Sequence, residues 1–344
     1  MSIVDKTPKT PKSSNASSSV TARKVLEPER FALIGVWLVL IVFFIAMIPE
    51  YFPTMANLSN MLGSQAVLLI LALGLIIPLR AGDYDLSIGS VLALSAVTVA
   101  ALNVNYGWPI WAAAAVAIIA GMLVGVINGF IVTKFDINPF IVTLGMGTVI
   151  IGISYMISNT RTITTVDPAL SEAVLAKPFF GIPVDFYYAV ILCALVWYVF
   201  EYTAFGQRLL FIGQNSDVAR LNGVPVNKSR WIALILSATV AGMAGVVYVG
   251  TTSSADTTSG QGFLLPAYAA AFLGSTTIRI GRFNPWGTLI AVYFLVTGIT
   301  GLQLMGAPPY VQYLFYDGAL VIAVVLSKVV RARSERKRLA IQIN

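Results

Sequence analysis

The stretch WPIWAAAAVAIIAGMLVGVINGFIV, Trp108–Val132, decides the fold. It runs 25 residues without a single charge. A helix needs about 20 mainly apolar residues to cross the hydrocarbon core of a bilayer. A backbone inside lipid must also satisfy its own hydrogen bonds, which a helix does internally and an open strand cannot. The run therefore predicts a membrane-spanning helix. Gly121, Gly125 and Gly129 recur at every fourth position along it. That spacing puts small residues on one stripe and predicts a closely packed neighbour. Ser237, Ala241 and Gly245 repeat small residues at the same interval and predict a second such stripe.

Nine further apolar runs flank this one: Phe31–Ile48, Leu62–Leu79, Leu86–Leu102, Pro139–Ser158, Phe186–Phe200, Trp231–Gly250, Phe263–Ile278, Trp286–Met305 and Tyr310–Ser327. The expected fold class is an all-α integral membrane protein of about ten transmembrane helices. Phe263–Ile278 is short and contains Pro266, so it is expected to be broken or re-entrant. Residues 1–30 are rich in Ser, Thr, Pro and Lys and predict a disordered tail. Residues 31–327 are expected to form the transmembrane domain, and 328–344 a basic tail. Within that tail, Arg331–Arg338 is read as an orientation anchor that attracts anionic lipid. The first apolar run follows this polar tail and lacks a small-residue cleavage site, so it reads as an uncleaved span.

Composition agrees. The chain is 57% hydrophobic and 11% charged, against about 25% charged in an ordinary soluble domain. The net charge of +7 arises from placement. With ten spans and the N-terminus inside, Arg161 and Lys177 are the only cations left outside, which is the positive-inside bias. Both termini are therefore expected on the cytoplasmic side of the membrane. Nucleic acid is not needed to explain the charge. Trp108 and Trp111 are expected at one membrane face, and Trp197, Trp231 and Trp286 at the other.

The longest charged gap, Glu201–Arg230, holds GQNSDVARLNG, Gly213–Gly223. Asn215 and Ser216 are good helix N-caps, and Asp217 suits the positive end of a first turn. Gly223 followed by Pro225 is a stop signal. The spacing predicts a short helix with Val218, Ala219 and Leu221 as its apolar side. Two readings compete: a helix lying on lipid, or a plug that docks into another protein, with Gly213, Asn215, Ser216, Val218, Ala219, Arg220, Leu221 and Gly223 as the coupling residues.

Several chemistries are excluded. The chain has no histidine and one cysteine, Cys193, within an apolar run. A nucleophile–His pair is impossible, and no disulfide or metal cluster is expected. No Gly-Lys pair occurs, so a phosphate-binding P-loop is absent. No bound cofactor is expected, and any ATP would be used by a partner. Acidic residues other than Asp317 fall in tails, loops or span edges. A proton-coupled carrier usually holds ionisable groups within its spans. The chain reads as a conduit powered by something else, not as an enzyme.

The residues then carry a resemblance. GDYDLSIGSVLAL (82–94), GVINGFIVTKFDINPFIVTLGM (125–146) and FGQRLLFIGQNSDVARLNGVPV (205–226) resemble signature segments of bacterial sugar ABC-importer permeases. LLPAYAAAFLGSTTIRIGRFNPWGTLI (264–290) is a looser match. The family is the ribose/xylose/arabinose/galactose-type permease group. The resemblance implies a second permease subunit, identical or related, a cytoplasmic ABC ATPase below, and a periplasmic sugar-binding protein above. The alternatives are the related branched-chain amino-acid permeases, a stand-alone secondary carrier and a membrane-embedded enzyme. In the last segment the family's Gly-Gly pair and glycine-rich turn are replaced by Gly274-Ser275 and Ile278–Arg282.

Other residues have paired readings. Asp85 reads as an N-cap for the third span, and Asp83 with Asp85 as a cytoplasmic gate. Asn138-Pro139 reads as N-cap plus proline at the first helical position. Asn128, an amide inside the membrane, serves either an interhelical bond or the pore lining. Asp317 reads either as structural, with the tenth helix starting deeper or the carboxylate bonded to a neighbouring helix, or as lining the translocation path with Tyr313. The external loop Asn159–Asp185 is expected to help receive the binding protein.

Overall fold

A computed structural model describes residues 28–325; both tails, including Arg331–Arg338, lie outside the described residues. After a short 3-10 turn come α1 (Ala32–Met47), α2 (Met55–Ser64), α3 (Ala66–Arg80), α4 (Ile88–Ala100, extended by a π turn to Asn105), α5 (Ile110–Lys134) and α6 (Pro139–Ser158). There follow β1 (Ile163–Thr164), α7 (Pro168–Leu175), α8 (Val184–Tyr202), α9 (Ala204–Gln214), α10 (Ser216–Leu221), α11 (Val226–Thr252), β2 (Ser254–Ala255), α12 (Gln261–Gly274), α13 (Pro285–Leu304) and α14 (Tyr310–Val325). The strands β1 and β2 form one antiparallel pair, Ile163 opposite Ala255.

Seven helical segments among the described residues are long and apolar enough to cross a membrane. They are Met55–Arg80, Ile88–Asn105, α5, α6, α8, α11 and α13. Three shorter apolar helices of 10–17 residues, α1, α12 and α14, overlap three further expected runs but fall below that length. The expected run Leu62–Leu79 starts earlier than its apolar pattern, at Met55, where Thr54 caps α2 by accepting from Asn57 N–H. The run 263–278 is not broken at Pro266: α12 continues through it as a 14-residue helix. Its inner residues Ala269, Ala270 and Ala271 are fully enclosed by protein.

The two small-residue stripes decide the packing. A Cβ on Gly125 would lie 2.7 Å from the Ile235 Cα, and one on Gly121 would lie 2.9 Å from the Ala238 carbonyl. α5 therefore rides directly on the α11 backbone. Gly245 on α11 faces α4 instead, with the Leu92 carbonyl 2.4 Å from where its Cβ would be. Ser95 of α4 donates to the Gly242 carbonyl at 2.7 Å. α11 is thus sandwiched between α4 and α5, as small residues in lipid allow. Gly129 is filled by Trp231, whose Nε1 donates to the Val126 carbonyl at 3.0 Å. Trp231 is therefore an interhelical packing residue as well as a belt candidate. Trp197 and Trp286 pack edge to face at 6.4 Å.

The bundle has two chemically different ends. One carries Arg80, Glu201, α9, α10, Arg230 and the 275–284 turn. The other carries α7, the β pair and the 48–54 connection. In the 275–284 turn Ile278 sits at φ +58° and Gly281 at φ +77°. A β-branched residue in this region is strained. Ile278 N–H donates to the Arg30 carbonyl at 3.1 Å, which fixes the turn against the start of α1.

Candidate functional site

Two helices and one buried turn make up the first end of the bundle. Thr203 caps α9 by accepting from Gly206 N–H at 3.2 Å. Gly206, Leu209 and Ile212 are buried, three residues apart, so one side of α9 lies on the bundle. Gly213 continues that side. A Cβ there would lie 2.2 Å from the Arg80 carbonyl, so only glycine permits the approach. Asn215 then breaks the helix and caps the next, accepting from Asp217 N–H and Val218 N–H at 3.0 Å each. α10 is short, as predicted, and ends before Gly223 at φ +78°.

Val218 (42% exposed) and Leu221 (87% exposed) form the apolar outer side of α10, with Ser216, Asp217 and Arg220 also exposed. Ala219, expected on that same side, is instead fully buried against the chain itself. Six residues make less than two turns, and the i+1 neighbour of Val218 rotates about a quarter turn inward. α9 was not foreseen.

Beneath α9 lies the turn 81–87. Arg80 donates to the Phe200 carbonyl at 3.1 Å and lies over the Phe200 ring, 4.2 Å from its centroid. It also approaches Glu201 at 3.8 Å, and Arg279 pairs with the other Glu201 oxygen. Asp83 is gripped by Arg230 of α11 in a forked ion pair, with contacts of 2.8, 2.8 and 3.1 Å. Tyr84 stacks against Tyr268 and Phe272 of α12 at centroid distances of 6.4 and 6.5 Å. The Thr143 hydroxyl of α6 accepts from Leu86 N–H at 3.0 Å.

Asp85 does not cap α4. The N-cap position is Ser87, which makes no side-chain cap bond. The Asp85 carboxylate is buried and accepts from the Ser87 N–H at 3.0 Å and the Ser87 hydroxyl at 2.6 Å. Its second oxygen accepts from the Ser237 hydroxyl of α11 at 2.9 Å. Asn128 Nδ2 of α5 donates to Ser87 Oγ at 2.9 Å. A directed chain therefore runs from Asn128 through Ser87 to Asp85 and, with Ser237, ties α5, the turn 81–87 and α11 together. Asn128 is an interhelical donor here. Asn138 does cap α6, accepting from Phe140 N–H, with Pro139 at the first helical position.

At the opposite end, Phe179 and Phe180 of the 159–183 loop are 63% and 83% exposed. The neighbouring 253–260 turn is folded around Asp256. Burial alone would raise that carboxyl. Bonds from the Ser259 and Thr258 hydroxyls and from both their N–H groups outweigh it and hold Asp256 below its ordinary value.

Asp317 is not bonded into a helix contact: it is exposed on α14, on one stripe with Tyr313, Leu314, Val321 and Ile322. Tyr316 faces inward and donates to Gln65 Oε1 at 3.2 Å. Among the described residues no group of acids and cysteines is arranged to hold a metal.

The described residues thus form a bundle of apolar helices with a short capped helix, α10, presented at one end. The family described as branched-chain amino acid transport system / permease component matches residues 57–325. The chain belongs to this family of transport permeases. The Escherichia coli (strain K12) ribose import permease protein is 31% identical over 294 residues, 84% of this chain and 90% of the relative. The ribose import permease protein of Bacillus subtilis (strain 168) is 31% identical over 296 residues, 85% and 90%. The D-allose transport system permease protein of Escherichia coli (strain K12) is 26% identical over 302 residues, 88% and 92%. No solved structure matches.

Proposed function

We propose that this chain is the membrane subunit of an ATP-binding-cassette importer and forms, with a second permease subunit, the path of a monosaccharide. The reading of the substrate class rests on the named relatives, which are permeases for ribose and allose. The amino-acid alternative is not favoured, since these relatives cover most of the chain. The subunit itself hydrolyses nothing and holds no cofactor. A cytoplasmic ATPase supplies the energy and a periplasmic binding protein delivers the sugar. Both termini lie on the ATPase side of the inner membrane.

The observation that carries the mechanism is the contact of α9 with the turn 81–87. The exposed side of α10, with Val218, Arg220 and Leu221, docks into the ATPase. Movement of α10 is passed to α9, which shares the Asn215 cap with it. Gly213 delivers that movement to the Arg80 backbone. From there the Asp83–Arg230 pair and the Asp85–Ser237 bond carry it into α11. Asp83 and Asp85 are thus joints rather than an open gate. Asp317 and Tyr313 lie on the exposed stripe of α14. An uncompensated Asp at the centre of a bilayer costs roughly 2.5–3.5 kcal/mol, so this stripe faces water or protein. Facing the path between two subunits, the carboxylate and phenol meet sugar hydroxyls.

The test is reconstitution. The chain, co-expressed with its ATPase and binding protein and placed in liposomes, accumulates labelled ribose or allose only with ATP and binding protein present. Accumulation by the chain alone on a proton gradient would make it a secondary carrier. Accumulation of leucine but no sugar would restore the amino-acid reading.

A further inference from the structure

A cavity of about 420 Å³ lies between α1, α2, α8 and α13. It is half enclosed, in the part of the bundle away from α9 and α10. Ile41, Ile45, Phe52, Leu58, Phe186 and Leu289 supply most of its wall. The few polar groups on the wall are already used. Trp37 Nε1 donates to the Thr297 hydroxyl at 2.9 Å, and that hydroxyl donates to the Tyr293 carbonyl at 2.6 Å. The Tyr293 hydroxyl donates to the Leu62 carbonyl at 3.1 Å. Thr54 donates to the Tyr51 carbonyl, and Asn57 Nδ2 to the Phe52 carbonyl with its sulfur neighbour Met61 beside it. No side-chain donor is left to meet a hydroxyl. A sugar, whose hydroxyls must be paired when removed from water, finds nothing to bind here. This cavity is not the translocation path.

The same wall suits hydrocarbon. α1 touches the body at two supports. At one, the Phe44 ring lies on Gly301, 2.4 Å from where a Cβ would stand. At the other, Trp37 meets Thr297. Ile41 lies between these supports and Ile45 just past Phe44, and both face the gap. The outward residues Val36, Val39, Val42 and Phe43 are exposed, an apolar face suited to the acyl region of a bilayer. An apolar space stays dry and takes apolar guests. The space communicates with lipid, and the molecule present there at the highest concentration is a phospholipid.

We propose that this cavity is a binding site for one acyl chain of a membrane phospholipid, which fills the gap between α1 and the bundle.

The experiment uses the full chain in phosphatidylcholine vesicles doped with a phosphatidylcholine whose acyl chain carries a photoactivatable diazirine. After illumination, labelled positions are mapped by peptide mass spectrometry. Labelling is expected at Ile41, Ile45 and Leu58 as well as on the outward residues Val39 and Val42. Leu58→Trp fills the space and is expected to abolish labelling at Ile41 and Ile45 while leaving Val39 labelled. Ile45→Trp, at a half-exposed position, is a second filling variant that is expected to do the same at Leu58. Retained labelling at Val39 in either variant reports an inserted α1. Labels confined to the outward face in the wild type would overturn the proposal. So would cavity labelling that survives both filling variants, or a copurifying protein segment crosslinked in place of the lipid.

Discussion

The ion pair between Asp83 and Arg230 gives the sharpest test of the buried junction. Its side chains are 5% and 15% exposed, so water screens it little. Its three nitrogen–oxygen contacts, at 2.8, 2.8 and 3.1 Å, match the fork of a guanidinium to a carboxylate. Removing one member strands the other charge, which typically costs about 3–5 kcal/mol. Arg230→Met and Asp83→Leu are each expected to lower stability by about 3 kcal/mol, the low end, because Arg230 keeps a small water contact. The double variant Asp83→Leu with Arg230→Met removes both charges and is expected within about 1 kcal/mol of the wild type, since an apolar replacement of a buried pair is often neutral. The assay is reversible unfolding of the purified chain in mixed micelles, with a denaturing detergent as titrant. With about 3 kcal/mol lost in each single variant and no more than about 1 in the double, the cycle is expected to give a coupling of about 5 kcal/mol. Single variants within about 0.5 kcal/mol of the wild type, the range of ordinary surface substitutions, would refute the argument. The pair would then be a solvated surface contact, and the route from α9 to α11 would not run through it.

The remaining predictions concern other parts of the chain. Leu221→Asp leaves folding intact, because Leu221 is exposed in the isolated chain, and abolishes copurification with the ATPase; retained ATPase and ATP-driven uptake would refute the docking role. Ile278→Gly relieves a left-handed φ and is expected to raise stability by about 1 kcal/mol; a loss in the same unfolding assay would mean that packing of the isoleucine outweighs the strain. Asp256 is held below its ordinary value, so its contribution is present above about pH 3.9 and is lost as pH falls below it. Protease cleavage of the 253–260 turn should therefore rise on acidification in the wild type and be pH-insensitive in Asp256→Asn. Asp317→Asn is expected to lower sugar transport with ATPase assembly unchanged, and a cysteine replacing Asp317 to react with an impermeant thiol reagent from the binding-protein side. Normal transport and no reaction in any nucleotide state would remove Asp317 from the path.

Local signals were legible in the sequence, and long-range partners were not. The apolar runs and the glycine spacing of α5 foretold a helical bundle with close packing, because length and small-residue period are properties of one segment. The Asn215 cap, the Gly223 stop and the Asn138-Pro139 start are likewise written within a few residues. α9 was missed because its apolar positions are spaced for a surface, not for a span. Thr203 as a cap, with Gly206, Leu209 and Ile212 following, was the available signal. Asp85 was misread as a cap because its second partner, Ser237, is 152 residues away in the chain. Ala219 was placed outward because adjacency to Val218 and Leu221 does not fix rotation in so short a helix.

The turn 81–87 explains why these distant residues belong together. A bilayer-spanning helix is stiff along its axis, so force arriving at its end is transmitted only if the end is held laterally. α3 ends at Arg80, whose guanidinium is held by Phe200 and Glu201 of α8 and whose carbonyl touches Gly213 of α9. Within the next few residues the chain is fixed to α11 by Asp83 and Asp85, to α12 by Tyr84 and to α6 by Leu86. Each bond is charged, stacked or buried, and none is a bare apolar contact that could slide. On the proposed docking, lateral displacement of α9 is passed through these bonds to α3 and α11. Since α11 is wedged between α4 and α5 on small residues, with the Gly125 and Gly245 contacts leaving no room for a side chain, its tilt moves both neighbours together. A helix docked at that end of the bundle, as proposed for α10, would thereby gain leverage over its centre without any ionisable group in the transport path having to titrate.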